Sequence, residues 1–390
     1  MNDRDVVIVE AVRTAVGRRN GSLSGVHPVV LLAKVLEELM RRAGLAPDVV
    51  EDVVTGCVDQ VGEQAANIGR NALLTAGFPY TVPATTVDRQ CGSSQQAVHF
   101  AANLIQSGVC DVTIGCGVES MSRVPILSAM EDGMKGGHGF PMPPELVERY
   151  ALVMQGVSAD MIAKQWDVTR QDIDRYAYES HMKAARAREE GRFDREIMPV
   201  KVSLEGVETE FKQDEGIRPD TSLEKLAALQ PAFGEGGVHT AGNSSQISDG
   251  AAALLLMSAA KAKELGVKPR ARIVAQRVVG SEPVLMLTGP ITATPQVIER
   301  AGLKLGDIDL FEINEAFASV VLAWEKELSP DMRKVNVNGG AIALGHPLGC
   351  TGAKLMTTLL HELERTGGRY GLQTMCEGGG QANVTLIERL

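Results

Sequence analysis

Two cysteines and one histidine in glycine-rich segments are the residues of this chain best suited to covalent chemistry. Cys91 and Cys376 lie far apart in the sequence, and His346 lies in a third turn of the same kind. A thiolate attacks carbonyl carbon, an imidazole can take the proton of the thiol, and a second thiol can exchange a proton with carbon. The three side chains together predict an active site that handles acyl groups.

The segment around Cys91 runs from a β-branched stretch into a helical pattern. Residues 85–87 have strand propensity, and apolar residues recur at helical spacing over residues 97–105. Ser93 or Ser94 is a suitable N-cap for that helix. Cys91 is therefore predicted to lie in a strand-to-helix turn, at the positive end of the helix dipole. We expect this position to lower the pKa of the thiol and to favour the thiolate.

The other candidate residues also follow apolar strands or lie in glycine turns. His346 belongs to the glycine-rich stretch 335–354, and Cys376 precedes the glycine run 378–380. Backbone N–H groups exposed by such a turn can form an oxyanion hole. A fourth segment carries polar Asn314 and Glu315 off the end of an apolar strand. These segments give Cys91 the polar partners that a nucleophile requires.

An isolated cysteine is more often a buried packing residue than a nucleophile. The chain has six cysteines and no CxxC pair, which indicates neither a zinc ribbon nor a disulfide framework. Four of them lie in apolar runs or in the histidine segment and are interpreted as packing residues: Cys57, Cys110, Cys116 and Cys350.

At the four polar segments the sequence closely resembles the thiolase family. The stretch 339–349 around His346, the stretch 314–317, the turn at Cys91 and the stretch 376–380 each match a thiolase signature, in the order of the family. The match covers nearly the whole chain. The resemblance implies an α/β thiolase fold, with five αβαβα layers from two duplicated halves and an inserted loop domain that covers coenzyme A.

The chain is accordingly divided into three parts. Residues 1–120 and 246–270 are predicted to form the N-terminal half, and residues 271–390 the C-terminal half. Residues 121–245, rich in Met, Pro and Gly, are predicted to form the loop domain, with coenzyme A and oligomer contacts. A capping box at Thr169 and Asp172 predicts the start of a long helix in this domain.

A duplication is also indicated by the sequence alone. Residues 42–54 echo residues 300–312 at an offset of 258 residues (300 − 42). In each copy a helix ends at a glycine, Gly44 or Gly302, before a short polar link and an apolar strand. Chance similarity between two helix-to-strand units is the alternative interpretation.

The resemblance implies a role for each catalytic residue. His346 takes the proton of Cys91, whose sulfur attacks the 3-keto carbon of the substrate. Asn314 holds a water at the enolate oxygen, and Cys376 exchanges a proton with the enolate carbon. The N–H groups of Cys91 and Gly378 bind the oxyanions. Coenzyme A is a substrate in this scheme, and no metal or other cofactor is expected.

The resemblance also implies how acyl-CoA is bound. Arg218 would lie against the adenine ring, and Ser245 would hydrogen-bond a pantetheine amide. The remaining channel residues are Phe233, Ala241, Ala316 and Phe317. Both phenylalanines could instead be core residues with no contact to a ligand.

One departure from the family pattern bears on the acyl chain. Residues 153–156 stand where acetoacetyl-CoA-specific thiolases tend to show His-Met-Gly, so that Met154 replaces an imidazole. With Met154 lining a wider pocket, we expect a degradative 3-ketoacyl-CoA thiolase of fatty-acid or steroid side-chain β-oxidation. Acetoacetyl-CoA thiolase in the condensation direction is the alternative, and a non-catalytic thiolase-like acyl-CoA or lipid-binding protein is a third interpretation. A condensing 3-ketoacyl synthase would use two histidines and no cysteine at position 376.

Composition limits the partners of the protein. The net charge of −10 argues against nucleic acid, and 44% hydrophobic with 23% charged residues is typical of a soluble globular protein. The sequence has no apolar run of membrane-spanning length and no secretory h-region, so a cytoplasmic location is expected. The family resemblance implies a homodimer or homotetramer.

Overall fold

The computed structural model describes residues 2–204 and 206–390. Within these residues the strands are β1 (Val6–Thr14), β2 (Gly17–Arg18), β3 (Asp52–Gly56), β4 (Ala84–Val87), β5 (Val112–Ser120), β6 (Ile197–Met198), β7 (Val200–Leu204), β8 (Val207–Phe211), β9 (Ser248–Ser258), β10 (Ala271–Gly280), β11 (Leu310–Ile313), β12 (Tyr370–Glu377) and β13 (Gln381–Arg389). The helices are α1 (Pro28–Ala43), α2 (Ile68–Thr75), α3 (Ser93–Gln106), α4 (Ser128–Lys135), α5 (Pro144–Arg149), α6 (Gln155–Gln165), α7 (Arg170–Glu189), α8 (Leu223–Ala227), α9 (Ala259–Glu264), α10 (Gly289–Arg300), α11 (Ala318–Leu328), α12 (Ala341–Leu344) and α13 (Thr351–Thr366).

The main sheet consists of two halves with the same pairing pattern. In the first half β1, β9 and β5 pair antiparallel, and β5, β3 and β4 pair parallel. In the second half β10, β13 and β12 pair antiparallel, and β12 and β11 pair parallel. A short antiparallel contact between β1 and β10, at residues 7–8 and 271–272, joins the halves. The repeated order supports the predicted duplication.

Three hydrophobic layers cover the faces of the two half-sheets. The central layer contains α3 and α13, whose apolar residues, such as Ile105 and Leu359, pack against β9 and β13. The helices α1 and α2 cover the outer face of the first half, and α10 and α11 cover that of the second. The layer order is therefore α, β, α, β, α, as predicted. Strand β9 is buried along its whole length because both faces of its half-sheet are covered.

The helix-to-strand unit that the sequence repeats is repeated in the structure. Helix α1 ends before Gly44, at φ +66°, and α10 ends before Gly302, at φ +69°. A 3₁₀ turn follows in each copy, at Pro47–Val49 and Leu305–Asp307, and strands β3 and β11 come next. A positive φ at a helix C-terminus favours glycine, which explains why the glycine recurs in both copies. The duplication is thus structural and not a chance similarity.

The segment between β5 and β9 carries α4 to α8 and the small strands β6 to β8. The capping box is confirmed, since the hydroxyl of Thr169 accepts from the N–H of Asp172 and the carboxylate of Asp172 accepts from the N–H of Thr169. Fully buried Arg13 of β1 anchors the segment by donating to Glu196 at 2.7 Å and to Asp214 at 2.8 Å. Loss of one partner of a buried ion pair typically costs about 3–5 kcal/mol.

Among the residues that the structure describes, no helix is both long enough and apolar enough to cross a membrane.

Candidate active site

The turn that carries Cys91 connects β4 to α3. Gln90, immediately before Cys91, has φ +48°, and Gly92 is the N-cap of α3. The predicted N-cap at Ser93 or Ser94 is therefore wrong. Ser93 instead donates its hydroxyl to the carbonyl of Gln90 at 2.6 Å, and Ser94 accepts from the backbone of α13. Both serines stabilise the turn, although neither caps the helix.

The pKa of Cys91 departs from the expectation based on the helix terminus. Cys91 is only 5% exposed, and burial raises the pKa of its thiol to about 12. The neighbouring carboxyl of Glu377 raises the pKa further, whereas hydrogen bonding by the N–H groups of Gly378 and of Cys91 itself lowers it. The predicted lowered pKa is wrong because desolvation outweighs the helix terminus. Cys91 is thus a thiol, and its reaction as a nucleophile requires a base.

His346 has the hydrogen bonds of a neutral base. Its Nδ1 lies 2.6 Å from the hydroxyl of Thr351, and that hydroxyl donates its hydrogen to the carbonyl of Pro347 at 2.8 Å. The hydroxyl must therefore accept from Nδ1–H, which leaves a lone pair on Nε2. Burial, and next the charge of Lys354, lowers the pKa of His346 to about 3. His346 is neutral at physiological pH and can accept a proton at Nε2.

The loop before His346 fits closely against β9. The N–H of His346 donates to the carbonyl of Gln246 and to the hydroxyl of Ser248, each at 3.2 Å. Gly345 has φ +97°, and a Cβ at this position would overlap the hydroxyl of Ser248. Glycine is required here both for the backbone conformation and for the close approach. The histidine therefore enters the site from a rigid backbone.

Asn314 and Glu315 follow strand β11 and serve different purposes. The amide of Asn314 lies 3.3 Å from Nε2 of His346, and its buried Oδ1 has no hydrogen-bond partner among the described residues. Glu315 accepts hydrogen bonds from Tyr176 at 2.9 Å and from Ser180 at 2.7 Å, both on α7. Glu315 is thus a structural anchor, whereas Asn314 retains a free acceptor that could hold a water.

Cys376 is the second buried thiol of the site. Burial, and next the charge of Cys91, raises the pKa of Cys376 well above its usual range. Met375, which directly precedes Cys376, belongs to the same hydrophobic cluster as Cys91, so the two cysteine segments pack together. Leu348, in the histidine loop, packs together with Cys91. The structure therefore brings the predicted catalytic segments together, with Gly378 directly beside Cys91.

The predicted coenzyme A contacts fall into two groups, one that packs near Cys376 and one that is exposed. Phe233 and Phe317 meet edge to face with ring centroids 5.5 Å apart, and the N–H of Ser245 donates to the carbonyl of Ala316 at 2.9 Å. Ala316 and Phe317 belong to the same hydrophobic cluster as Cys376. The second group is exposed and consists of Arg218 and Ala241.

Position 154 is more exposed than the sequence predicted. Met154 is 71% exposed at the start of α6, so its side chain lies at the rim of the site. The next residue, Gln155, directs its amide towards the glycine turn, with Nε2 2.9 Å from where a Cβ of Gly378 would stand. The side-chain oxygen of Gln90 lies 3.2 Å from the same point. The sequence prediction of site residues included neither glutamine.

Thr351 supplies a test of the tautomer of His346. Thr351→Val keeps the side-chain volume but removes the acceptor for Nδ1–H. We expect kcat to fall by roughly tenfold with little change in KM, since a lost hydrogen bond of this kind is worth about 1–1.5 kcal/mol. Steady-state kinetics of the reaction that the family resemblance implies check this. Thr357→Val is the matched control, because Thr357 is also buried in α13 and donates to the carbonyl four residues earlier, away from His346. Equal losses in both variants would contradict the assignment.

Comparison with known proteins agrees with the fold and the site. The model of the thiolase N-terminal domain matches residues 6–260, and that of the thiolase C-terminal domain matches residues 267–389. A steroid 3-ketoacyl-CoA thiolase of Mycobacterium tuberculosis is 52% identical, over 99% of this chain and 94% of the relative. A 3-ketoacyl-CoA thiolase of Bacillus subtilis is 44% identical, over 99% of both chains.

A solved structure is also similar to this chain over nearly its full length. The crystal structure of an acetyl-CoA acetyltransferase of Bacillus anthracis superposes with a TM-score of 0.91 at 44% identity and covers 99% of both chains. The family models cover most of the chain, and the relatives match it over nearly its full length. The chain belongs to the thiolase family of acyltransferases.

Proposed function

We propose that the protein is a 3-ketoacyl-CoA thiolase, which cleaves 3-ketoacyl-CoA with coenzyme A to acetyl-CoA and a shortened acyl-CoA. The observation that carries the proposal is the pair of buried thiols, Cys91 and Cys376, beside a neutral imidazole whose Nε2 carries a lone pair. The names of the relatives from Mycobacterium tuberculosis and Bacillus subtilis support this reaction class. A thiolysis assay with a 3-ketoacyl-CoA substrate, monitored by acetyl-CoA formation, tests it.

The first half of the reaction forms an acyl-enzyme. His346 takes the proton of Cys91 while the sulfur attacks the 3-keto carbon, because a thiol with a pKa near 12 is not ionised beforehand. Collapse of the tetrahedral adduct breaks the C2–C3 bond and expels the enolate of acetyl-CoA. Cys376 is a thiol at neutral pH, since its pKa is raised, and it protonates the enolate carbon.

The second half of the reaction restores both cysteines. The thiolate left on Cys376 takes the proton of incoming coenzyme A, whose sulfur attacks the acyl group on Cys91. The second tetrahedral adduct expels the Cys91 sulfur, which recovers its proton from the imidazolium of His346. The proton that Cys376 gives to the enolate carbon is replaced by the proton of coenzyme A, and His346 returns the proton of Cys91, so the cycle requires no metal or redox cofactor.

Backbone N–H groups stabilise the oxyanions in this proposal. The N–H groups of Cys91 and Gly378 both act on the Cys91 sulfur and are therefore directed at the place where the new bond forms. Donors fixed at such a place stabilise developing charge without reorganisation. For the enolate oxygen, the amide of Asn314 lies beside Nε2 of His346, and its unpartnered Oδ1 could hold a water.

We propose that residues 121–245 form the domain that covers coenzyme A. Residues 1–120 and 246–270 form the N-terminal half in this division, and residues 271–390 the C-terminal half. The contact between Phe233 and Phe317 supports the proposal, because it joins the covering segment to the Cys376 side of the site. Ser245 lies beside the same contact and exposed Arg218 lies further out, as pantetheine and adenine contacts would.

A homodimer or homotetramer is proposed as the assembled form. Exposed large apolar side chains are concentrated between residues 126 and 154 and include Leu127, Met134, Phe140, Val147 and Tyr150. An exposed apolar patch of this kind is typical of a protein–protein contact, which a second copy of the chain would cover.

Acetoacetyl-CoA thiolase is the second candidate function. The printed name of the similar Bacillus anthracis structure, an acetyl-CoA acetyltransferase, favours it. The sequence at the rim of the site favours the first candidate, because Met154 and Gln155 replace the His-Met pair of acetoacetyl-specific relatives. Both candidates use the same catalytic residues and differ only in the room for an acyl chain.

Substrate length separates the two candidates. We expect kcat/KM to rise from acetoacetyl-CoA towards medium-chain or bulky 3-ketoacyl-CoA, because each additional buried methylene contributes about 0.8 kcal/mol to binding. Thiolysis rates across a series of chain lengths, with a steroid side-chain thioester included, measure this. A flat or falling profile beyond four carbons would make acetoacetyl-CoA thiolase the better assignment.

Met154→His extends this test to the rim. The substitution restores the imidazole of acetoacetyl-specific relatives and should lower kcat/KM selectively for the longer substrates. Met161→His, at a less exposed methionine on the same helix, is the matched control and should leave the profile unchanged. A loss that is equal at all chain lengths would show that position 154 does not limit the acyl chain.

A further inference from the structure

Glu377 is a buried carboxyl group at the reacting centre that the mechanism above does not use. It is the last residue of β12 and directly follows Cys376. Its side chain is fully buried, and within residues 2–204 and 206–390 neither of its oxygens has a hydrogen-bond partner. An orphaned buried carboxyl is costly, because burial without a hydrogen bond leaves its desolvation uncompensated. Such a group at an active site calls for a functional explanation.

The carboxyl of Glu377 lies against the turn of the nucleophile. A Cβ on Gly92 would overlap Oε1 of Glu377 and would stand 2.8 Å from the amide of Asn383. Gly92 follows Cys91 directly and is the N-cap of α3. The turn therefore has glycine at the position where any larger residue would displace the carboxyl. Glu377 follows Cys376 in the chain and its carboxyl lies against the residue that follows Cys91, so its charge acts on both cysteines.

The charged groups that face Glu377 come from the turn before Cys91. Arg89 acts as the neighbouring cation and Asp88 as the neighbouring anion. Arg89 donates instead to the side chain of Gln381 at 2.5 Å, and the described residues contain no ion pair between Arg89 and Glu377. On β13, Asn383 donates to the carbonyl of Gly92. No neighbour neutralises an ionised Glu377 by direct contact.

The protonation state of Glu377 affects both sulfurs. Burial raises the pKa of Glu377 to about 8, with Arg89 opposing and Asp88 adding to the shift. Glu377 is therefore mainly a neutral acid at pH 7. Its negative charge, once formed, raises the pKa of Cys91 and of Cys376. A carboxylate this close to two thiols in a desolvated site opposes each thiolate directly.

We propose that Glu377 is a positioning residue that sets the ionisation of the two reactive thiols: as a neutral acid it permits thiolate formation, and as a carboxylate it opposes it. The proposal rests on the assignment of Cys91 and Cys376 as the reacting pair. It gives the enzyme an alkaline limit that neither cysteine nor His346 would impose. Glu377 acts through the sulfurs and need not touch the substrate.

The rate of alkylation of Cys91 as a function of pH tests the proposal. Iodoacetamide reacts with the thiolate, so its rate at Cys91, followed by peptide mass spectrometry from pH 6.5 to 9.5, reports the thiolate population. Glu377→Gln keeps the shape of the side chain and removes the charge. We expect the ratio of the variant rate to the wild-type rate to grow from about one at pH 6.5 to about tenfold at pH 9.5, the effect of one unit in thiol pKa.

Two further variants make the outcome decisive. Glu377→Asp retains a carboxyl and should retain the alkaline limit, whereas Glu325→Gln, at a carboxyl of raised pKa on α11 outside the site, should follow the wild type at every pH. The proposal would be overturned if the ratio of the Glu377→Gln alkylation rate to the wild-type rate stayed constant with pH, whatever its value. A purely structural role of Glu377 would change the rate equally at all pH values. Alkylation requires no turnover, so this result is independent of whether the protein is a thiolase.

Discussion

Replacing Cys91 with alanine is expected to abolish thiolysis and acyl exchange while coenzyme A binding persists. The loss in kcat should reach about 10⁴- to 10⁶-fold, as is common when a covalent nucleophile is removed. The structure supports an effect of this size, because Cys91 is the thiol on which the N–H groups of Cys91 and Gly378 act and the thiol that packs against the histidine loop. Steady-state thiolysis, with calorimetry for coenzyme A binding, measures the two quantities separately.

Covalent labelling adds a direct readout for Cys91. Wild-type protein incubated with acetyl-CoA should carry an acetyl group on Cys91, and the variant should carry none. Cys116→Ala is the matched control, since Cys116 is equally buried and burial raises its pKa to about 12 as well. The control should retain activity, because the sulfur of Cys116 hydrogen-bonds Thr55 and the β3 backbone and packs in the outer core of the first half, away from His346. Acetylation of another cysteine in the active wild type would contradict the assignment.

The meeting of Cys91 and His346 follows from the duplication that the sequence displays. Each residue precedes an inner helix of its own half, α3 or α13, and these helices pack against each other in the central layer. The N–H of Ala353 near the start of α13 donates to Ser94 near the start of α3. A loop followed by an inner helix recurs in each half and places the nucleophile and the base before two packed helices, although a strand, β4, precedes only the Cys91 turn and the short helix α12 precedes His346. This part of the site could be predicted from local patterns alone.

The protonation states could not be predicted in the same way. The helix terminus at Cys91 is visible in the sequence, but the depth at which the thiol is buried depends on packing from distant segments, such as Leu348 and Met375. Desolvation is therefore a tertiary property, and it reverses the direction of the pKa shift. The consequence is mechanistic, because activation of Cys91 must come from His346 and not from the helix alone.

Glu377 and Gln155 show what a sequence pattern can still indicate. An acidic residue between a strand cysteine and three glycines was the available signal for Glu377. For Gln155 the sequence indicated only the departure from the family pattern at residues 153–156; the residue begins α6 and reaches Gly378 because the inserted segment folds over the site. The contacts between residues 121–245 and the catalytic turns depend on how this inserted segment packs against the two halves. The spacing of residues along the sequence does not specify that packing.

Replacing Cys376 with serine is expected to separate acylation from turnover. Attack by Cys91 does not use Cys376 as a nucleophile, so acetyl-CoA should still acetylate Cys91, although slowly. Overall turnover should fall by about 10²- to 10⁴-fold, the usual contribution of general acid–base catalysis, because a serine hydroxyl neither protonates the enolate carbon nor forms the anion that deprotonates coenzyme A. Peptide mass spectrometry and steady-state thiolysis measure the two steps.

The interpretation of Cys376→Ser depends on a control with the same chemical change elsewhere. Cys116→Ser replaces another fully buried thiol whose sulfur already lies 3.1 Å from the hydroxyl of Thr55, so the new hydroxyl has a partner. The control should keep near wild-type turnover, which would assign the loss in Cys376→Ser to proton transfer and not to a buried hydroxyl. If Cys376→Ser itself turned over near the wild-type rate, the proton added to the enolate carbon would have to come from another group. His346 is the remaining titratable side chain of the predicted catalytic set, so it would carry both the proton of Cys91 and that of the enolate. That outcome would move the mechanism towards a condensing enzyme with a single reactive thiol.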